Sequence, residues 1–168
     1  MGITHKSKDF DVIKKYYKAY NSKNYKKLDK IIADNIIVIE MNYTVLNSKT
    51  DFINLVKWGE VFDSKNKKSE IREENGVYIT EEIQDSERIQ FLYGHALKSK
   101  TTFTIKNGKI SKIEVDLLDF NLEKMNKKRN EFMSWVKINH PHKLSTINQL
   151  NKVGGETFKE AMVLYNKK

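Results

Sequence analysis

Cysteine is absent from this chain. That removes disulfides, thiol catalysis and cysteine-based zinc sites together, and it is compatible with a reducing cytoplasm. No apolar run approaches the ~18 residues of a helical membrane span, so no membrane association is expected. The opening stretch, MGITHKSKDF, lacks the apolar segment of a signal peptide and carries Lys6 where myristoylation wants Ser or Thr. Arginine is confined to Arg72, Arg88 and Arg129 despite a net charge of +9. Arginine is the commoner base-reading residue, and the lysines are scattered over every element. A soluble lysine-rich surface therefore explains the charge better than a nucleic-acid partner. There is no glycine-rich phosphate loop, nucleophile elbow or cysteine–histidine pair. His140-Pro141-His142 sits at a helix break with no carboxylate nearby, so neither a metal nor a cofactor is expected.

What remains is an ordinary globular composition. The 168 residues, 39% of them hydrophobic, are enough for one domain with a real core. Phe10, Ile13, Tyr17 and Tyr20 recur at helical spacing over 9–22, and a short second helix carries Tyr25, Leu28, Ile31 and Ile32. Ile36 to Met41 is an apolar run broken by Glu40, as in a strand covered on both faces. Ser48 caps a third helix with Asp51 in the capping-box position, and Phe52, Leu55, Val56, Gly59 and Phe62 form its buried face. Trp58 lies at the edge. SKNKK reads as a loop.

Two hairpins follow, with IQFLYG between them as a short helical turn. In the second, three-residue closure at Lys106-Asn107-Gly108 puts Thr101 opposite Ile113, Ser99 opposite Val115 and Leu97 opposite Leu117 on one apolar face. The other face then pairs Lys100 with Glu114 and Lys98 with Asp116. In the first, a Glu74-Asn75-Gly76 loop sets Ile71 opposite Ile79 and Lys68 opposite Glu82, which places Glu81 on the apolar side between Ile79 and Ile83. After Phe120 a long helix carries Leu122, Met125, Phe132, Trp135 and Val136. Pro141, the only proline, stops it. A turn with Leu144, Ile147 and Leu150 leads to Gly154-Gly155, and a last helix carries Phe158, Ala161, Met162 and Tyr165.

This order, with Tyr16-Tyr17-Lys18-Ala19-Tyr20-Asn21, Asn24-Tyr25, Ile32-Ala33-Asp34-Asn35 and the hairpin Phe103-Thr104-Ile105-Lys106-Asn107-Gly108-Lys109-Ile110, resembles the nuclear transport factor 2-like superfamily with its SnoaL-like proteins. The resemblance implies an α+β fold: a cone-shaped, strongly curved, mostly antiparallel sheet around N-terminal helices, with a pocket at the open end. The expected division is a cone domain over 1–119 and a C-terminal helical extension over 120–168. Many relatives dimerise through the outer sheet face, so a homodimer is expected there.

In the ketosteroid isomerase branch the proton-shuttling carboxylate falls where Glu40 stands, and the enolate-binding tyrosine maps onto Tyr16. Its neutral acid maps onto Thr101, which does not supply the same donor. Desolvation among apolar neighbours would raise the Glu40 pKa and suit it to acid–base work. The epoxide hydrolase branch needs an arginine in the pocket, whereas Arg72 is expected outward and Arg88 and Arg129 off the sheet. Tyr17, Tyr20, Trp58, Phe62, Glu81, His95, Thr101 and Phe103 are the candidate ligand contacts. The expected function is binding of a small apolar or aromatic molecule. The alternatives are a cofactor-free isomerase, cyclase or dehydratase using Glu40 and Tyr16, or a dimeric scaffold with a filled pocket.

Overall fold

A computed structural model describes residues 3–168, with side chains from residue 8 onward. The signal-sequence and acylation reading of MGITHKS lies outside those side chains. Helices α1 (Ile3–Asn21) and α2 (Tyr25–Ile31) precede strands β1 (Ile32–Glu40) and β2 (Tyr43–Leu46), then α3 (Lys49–Val61). Strands β3 (Lys65–Lys68), β4 (Arg72–Glu74) and β5 (Val77–Asp85) lead to α4 (Glu87–Tyr93), β6 (Leu97–Lys106) and β7 (Lys109–Leu117). Helices α5 (Leu122–Asn139) and α6 (Lys152–Tyr165) close the chain. The strands form one sheet in the order β2-β1-β7-β6-β5-β3, with β4 also on β5. Only β1 with β7 is parallel, so this is an α+β fold with a mostly antiparallel sheet. No described helix is long and apolar enough to cross a membrane.

Both hairpins turn more tightly than the sequence suggests. Asn75-Gly76 and Asn107-Gly108 are two-residue turns with φ of 51° and 81°, and 52° and 70°. Positive φ at both positions matches the twist of the flanking strands, and Asn-Gly supplies it at least cost. In the β6–β7 hairpin Lys106 faces Lys109 and Ile105 faces Ile110, after which the register shifts and Thr104 faces Lys112. Ser111 is the extra residue of a β-bulge, which restores the faces that a two-residue turn alone would have inverted. Leu97, Ser99, Thr101 and Phe103 therefore share the buried face as expected. Their partners are two residues further on, with Phe103 opposite Ile113 and Thr101 opposite Val115. Of the expected charge pairs, Lys100 faces Asp116 at 4.0 Å rather than Glu114, and Lys98 does not face Asp116.

The β4–β5 hairpin differs more. Arg72, not Ile71, faces Ile79. SKNKK is no loop: Lys65–Lys68 is an edge strand, and Lys68 does face Glu82. Its open edge carries lysines, which discourage pairing with another sheet. The chain between β3 and β4 stays tied to β5, because the Ser69 amide donates to the Glu81 carbonyl (2.8 Å) and the Glu81 amide to Ser69 Oγ (3.0 Å). Strand β2 has no counterpart in the sequence reading. Nor is β1 covered on both sides, since Ile36 and Val38 are buried while Ile37 is 39% exposed.

Two apolar clusters hold this together. One packs Ile13, Tyr16, Tyr17, Leu28, Phe52 and Val56 of the first three helices on Ile36, Val38, Phe103 and Ile113 of the sheet. The other joins Phe62 to Phe132, Val136, Ile147, Phe158 and Tyr165 from the C-terminal segment. Gly154 and Gly155 lie inside α6 rather than before it. A Cβ on Gly155 would meet the Trp58 carbonyl oxygen at 3.1 Å, and one on Gly154 would meet that of Gln149 at 1.9 Å. Gly155 lets α6 lie against α3, and Gly154 lets the first turn of α6 pack on the Gln149 backbone.

Candidate functional site

Between α1, α3, α4 and the concave sheet face lies a cavity of about 360 Å³. That is within the range of small-molecule sites, roughly 300–1,000 Å³. Tyr16 and Tyr20 reach it from α1, Phe52, Val56 and Trp58 from α3, and Val38 and Glu40 from β1. Arg88 and Tyr93 of α4 complete the wall, and Leu150 comes from the C-terminal segment. Alternation along β1 explains Glu40: Ile36, Val38 and Glu40 share the inward side, and the strand runs out as the cone opens.

Glu40 keeps more than a third of its surface open, yet protein around its carboxyl raises its pKa from the ordinary 4.5, with Arg88 pulling the other way. Both observations fit a carboxyl at the cavity rim, wet on one side and poorly hydrated on the others. Among the described residues it makes no side-chain hydrogen bond or ion pair. Tyr16 is buried, and burial first, then Tyr20 and Glu82, push its pKa well above the usual phenol value. Its hydroxyl stays protonated and has no hydrogen-bond partner among the described residues. The cavity wall thus offers an available base and an available neutral donor that are not bonded to each other.

Tyr20, Trp58 and Phe62 also line the cavity. The remaining candidates do not. Phe103 is fully buried, edge-on to Tyr16 and Tyr17 with centroids at 5.3 and 5.8 Å. Thr101 is buried on the inward face of β6 and does not reach the cavity wall. His95 is exposed and its Nδ1 lies 2.8 Å from the Ala96 carbonyl oxygen. Glu81 is on the outer face, 3.8 Å from Arg72. His140 packs against the Trp135 ring and edge-on to His142, and no described cluster of acids and histidines could hold a metal.

The inward acid of β5 is Glu82, only 4% exposed. The Tyr17 hydroxyl donates to its Oε1, and Asn66 Nδ2 donates to Oε2 at 3.1 Å. Thr80 Oγ1 lies 2.7 Å from the Tyr17 hydroxyl and 3.5 Å from Oε1. Burial raises the Glu82 pKa, and the hydroxyls of Tyr17 and Thr80 oppose the rise. Thr101 Oγ1 is near enough to favour the charged form but is not placed to hydrogen-bond, and remains buried without a partner. Arg88 was the other residue missed. It was expected away from the sheet, and it is away from it, but α4 turns it into the cavity.

A curved, mostly antiparallel sheet wrapped on helices, with a pocket at the open end, defines the α+β cone class. Within it, this chain has the nuclear transport factor 2-like fold. An NTF2-like protein of unknown function from Cytophaga hutchinsonii superposes with a TM-score of 0.54 at 14% identity, covering 66% of this chain and 89% of that one. A candidate ketosteroid isomerase from Kribbella flavida gives 0.57 at 8% identity, covering 68% and 81%. An LEH-like epoxide hydrolase from M. tuberculosis gives 0.56 at 11% identity, covering 80% and 97%. No family model and no curated protein matches the sequence.

Proposed function

We propose that the chain binds a small, mostly apolar molecule in the cavity between α1, α3, α4 and the concave sheet. The observation that carries this reading is that one aromatic-lined cavity holds three polar groups, Glu40, the Tyr16 hydroxyl and Arg88, with no hydrogen-bond or ion-pair partner among the described residues. Buried polar groups are normally satisfied within a fold, so the buried Arg88 Nε left without a partner at this cavity points to a ligand that engages it. A filled-cone scaffold is disfavoured by the volume that remains once Leu150 is in place.

The neutral fluorophore N-phenyl-1-naphthylamine tests this reading. It should bind saturably at one site and quench Trp58, and Val56→Trp, which fills the cavity from α3, should abolish the effect. Non-saturating uptake, or uptake indifferent to the filled cavity, would count against the reading.

A second reading, acid–base catalysis by Glu40 with Tyr16 as donor to a developing oxyanion, is favoured by the raised Glu40 pKa. Carbon-13 titration of the Glu40 carboxyl should give a midpoint above 4.5, and Arg88→Met should move it higher by removing the opposing charge. A midpoint at or below the ordinary value would remove the base from this reading.

A further inference from the structure

Arg88 occupies the first turn of α4, a helix started by Ser86, whose Oγ accepts from the Ile89 amide at 3.1 Å. Its guanidinium lies over the rings of Trp58 and Phe158, 5.0 and 5.2 Å from their centroids. Its Nε is buried and donates to nothing. Among the described residues no acceptor reaches any other nitrogen of the group. Glu40, the carboxylate of the same cavity, feels the charge but makes no ion pair with it.

A guanidinium has five donors in a fixed fork, and burying it is costly unless an acceptor meets them. Structural arginines normally meet a carboxylate of their own chain. Here the two aromatic rings stabilise the cation and fix its plane, while its donors are left unused.

We propose that Arg88 recognises the carboxylate of a small aromatic or alicyclic acid whose apolar body lies among Val38, Phe52, Val56 and Trp58. This rests on the cavity reading above and names its ligand class. A carboxylate fits because the planar fork takes it through two parallel hydrogen bonds. The ligand carries one negative charge, because Glu40 at the rim repels a second and instead accepts from a neutral donor such as a hydroxyl.

The test is calorimetric titration of the full chain at pH 7 with 2-naphthoate and its isostere 2-naphthamide. The acid should bind roughly 10- to 100-fold more tightly than the amide. Arg88→Met should erase that preference with amide binding retained, Arg88→Lys should weaken it, and Glu40→Gln should tighten the acid. Equal affinity for acid and amide in the unsubstituted protein would overturn the proposal, whether or not any Arg88 variant folds. So would a preference that survives Arg88→Met. If neither naphthalene probe binds while N-phenyl-1-naphthylamine does, only the Arg88 assignment falls. If none of the three binds, the cavity reading falls with it.

Discussion

Phe103→Ala is expected to lower the unfolding free energy by about 3–5 kcal/mol, the usual cost of deleting a fully buried ring. No surface of Phe103 is exposed. It stands on β6 opposite Ile113, and its ring meets both Tyr16 and Tyr17 of α1 edge-on. The residual cavity would open beside the ligand site, so Tyr16 would lose its support as well. Urea unfolding monitored by far-ultraviolet circular dichroism measures the loss. A cost below about 1 kcal/mol would mean that α1 does not depend on this contact.

Tyr17→Phe is expected to cost about 1–3 kcal/mol, because it leaves the Glu82 carboxyl and the Thr80 hydroxyl short of a partner in a buried place. The same network sets a pH dependence whose sign is fixed. Glu82 has a folded pKa above its ordinary value, so between the two the folded state binds more protons than the unfolded one. Its contribution to stability is complete below the unfolded pKa and is lost as pH rises through the folded one. Glu40 acts in the same direction. Asp34 and Glu160, held low by Lys49 and Lys143, act oppositely, and being exposed they are screened by salt. Glu82→Gln against the unsubstituted chain isolates the buried group. The parent should lose stability relative to the variant as pH climbs from about 4.5, and parallel curves would contradict the assignment.

Much of the architecture could be read in the letters. The Ser48 cap and the helical stripes each encode a local geometry that tertiary context did not overrule, and the two Asn-Gly pairs marked where the hairpins turn, though not that the turns hold two residues rather than three. The inward set Leu97, Ser99, Thr101 and Phe103 was also legible, because a two-residue turn plus one bulge gives the same parity as the expected three-residue loop. The side of β5 was not. Its sequence, VYITEEIQD, offers Ile79, Glu81 and Ile83 against Tyr78, Thr80, Glu82 and Gln84, and apolar alternation favours the wrong set. The polar set faces inward because Tyr17 and Asn66 arrive from other elements to satisfy Glu82. That is long-range information, absent from any local pattern. Arg88 was lost for a related reason. A single short helix has no periodicity from which to assign a face, and the rings that hold the guanidinium come from α3 and α6.

The ligand is predicted to enter the cavity between α1, α3, α4 and the sheet. Titrating methyl-labelled protein with N-phenyl-1-naphthylamine while recording proton–carbon correlation spectra tests that residue by residue. Saturable shifts are predicted at Val38, Val56, Ile89, Ile113 and Leu150, with Ile79 and Ile83 on the outer face unmoved. Shifts confined to the outer face, or none at the inner methyls at saturation, would contradict it.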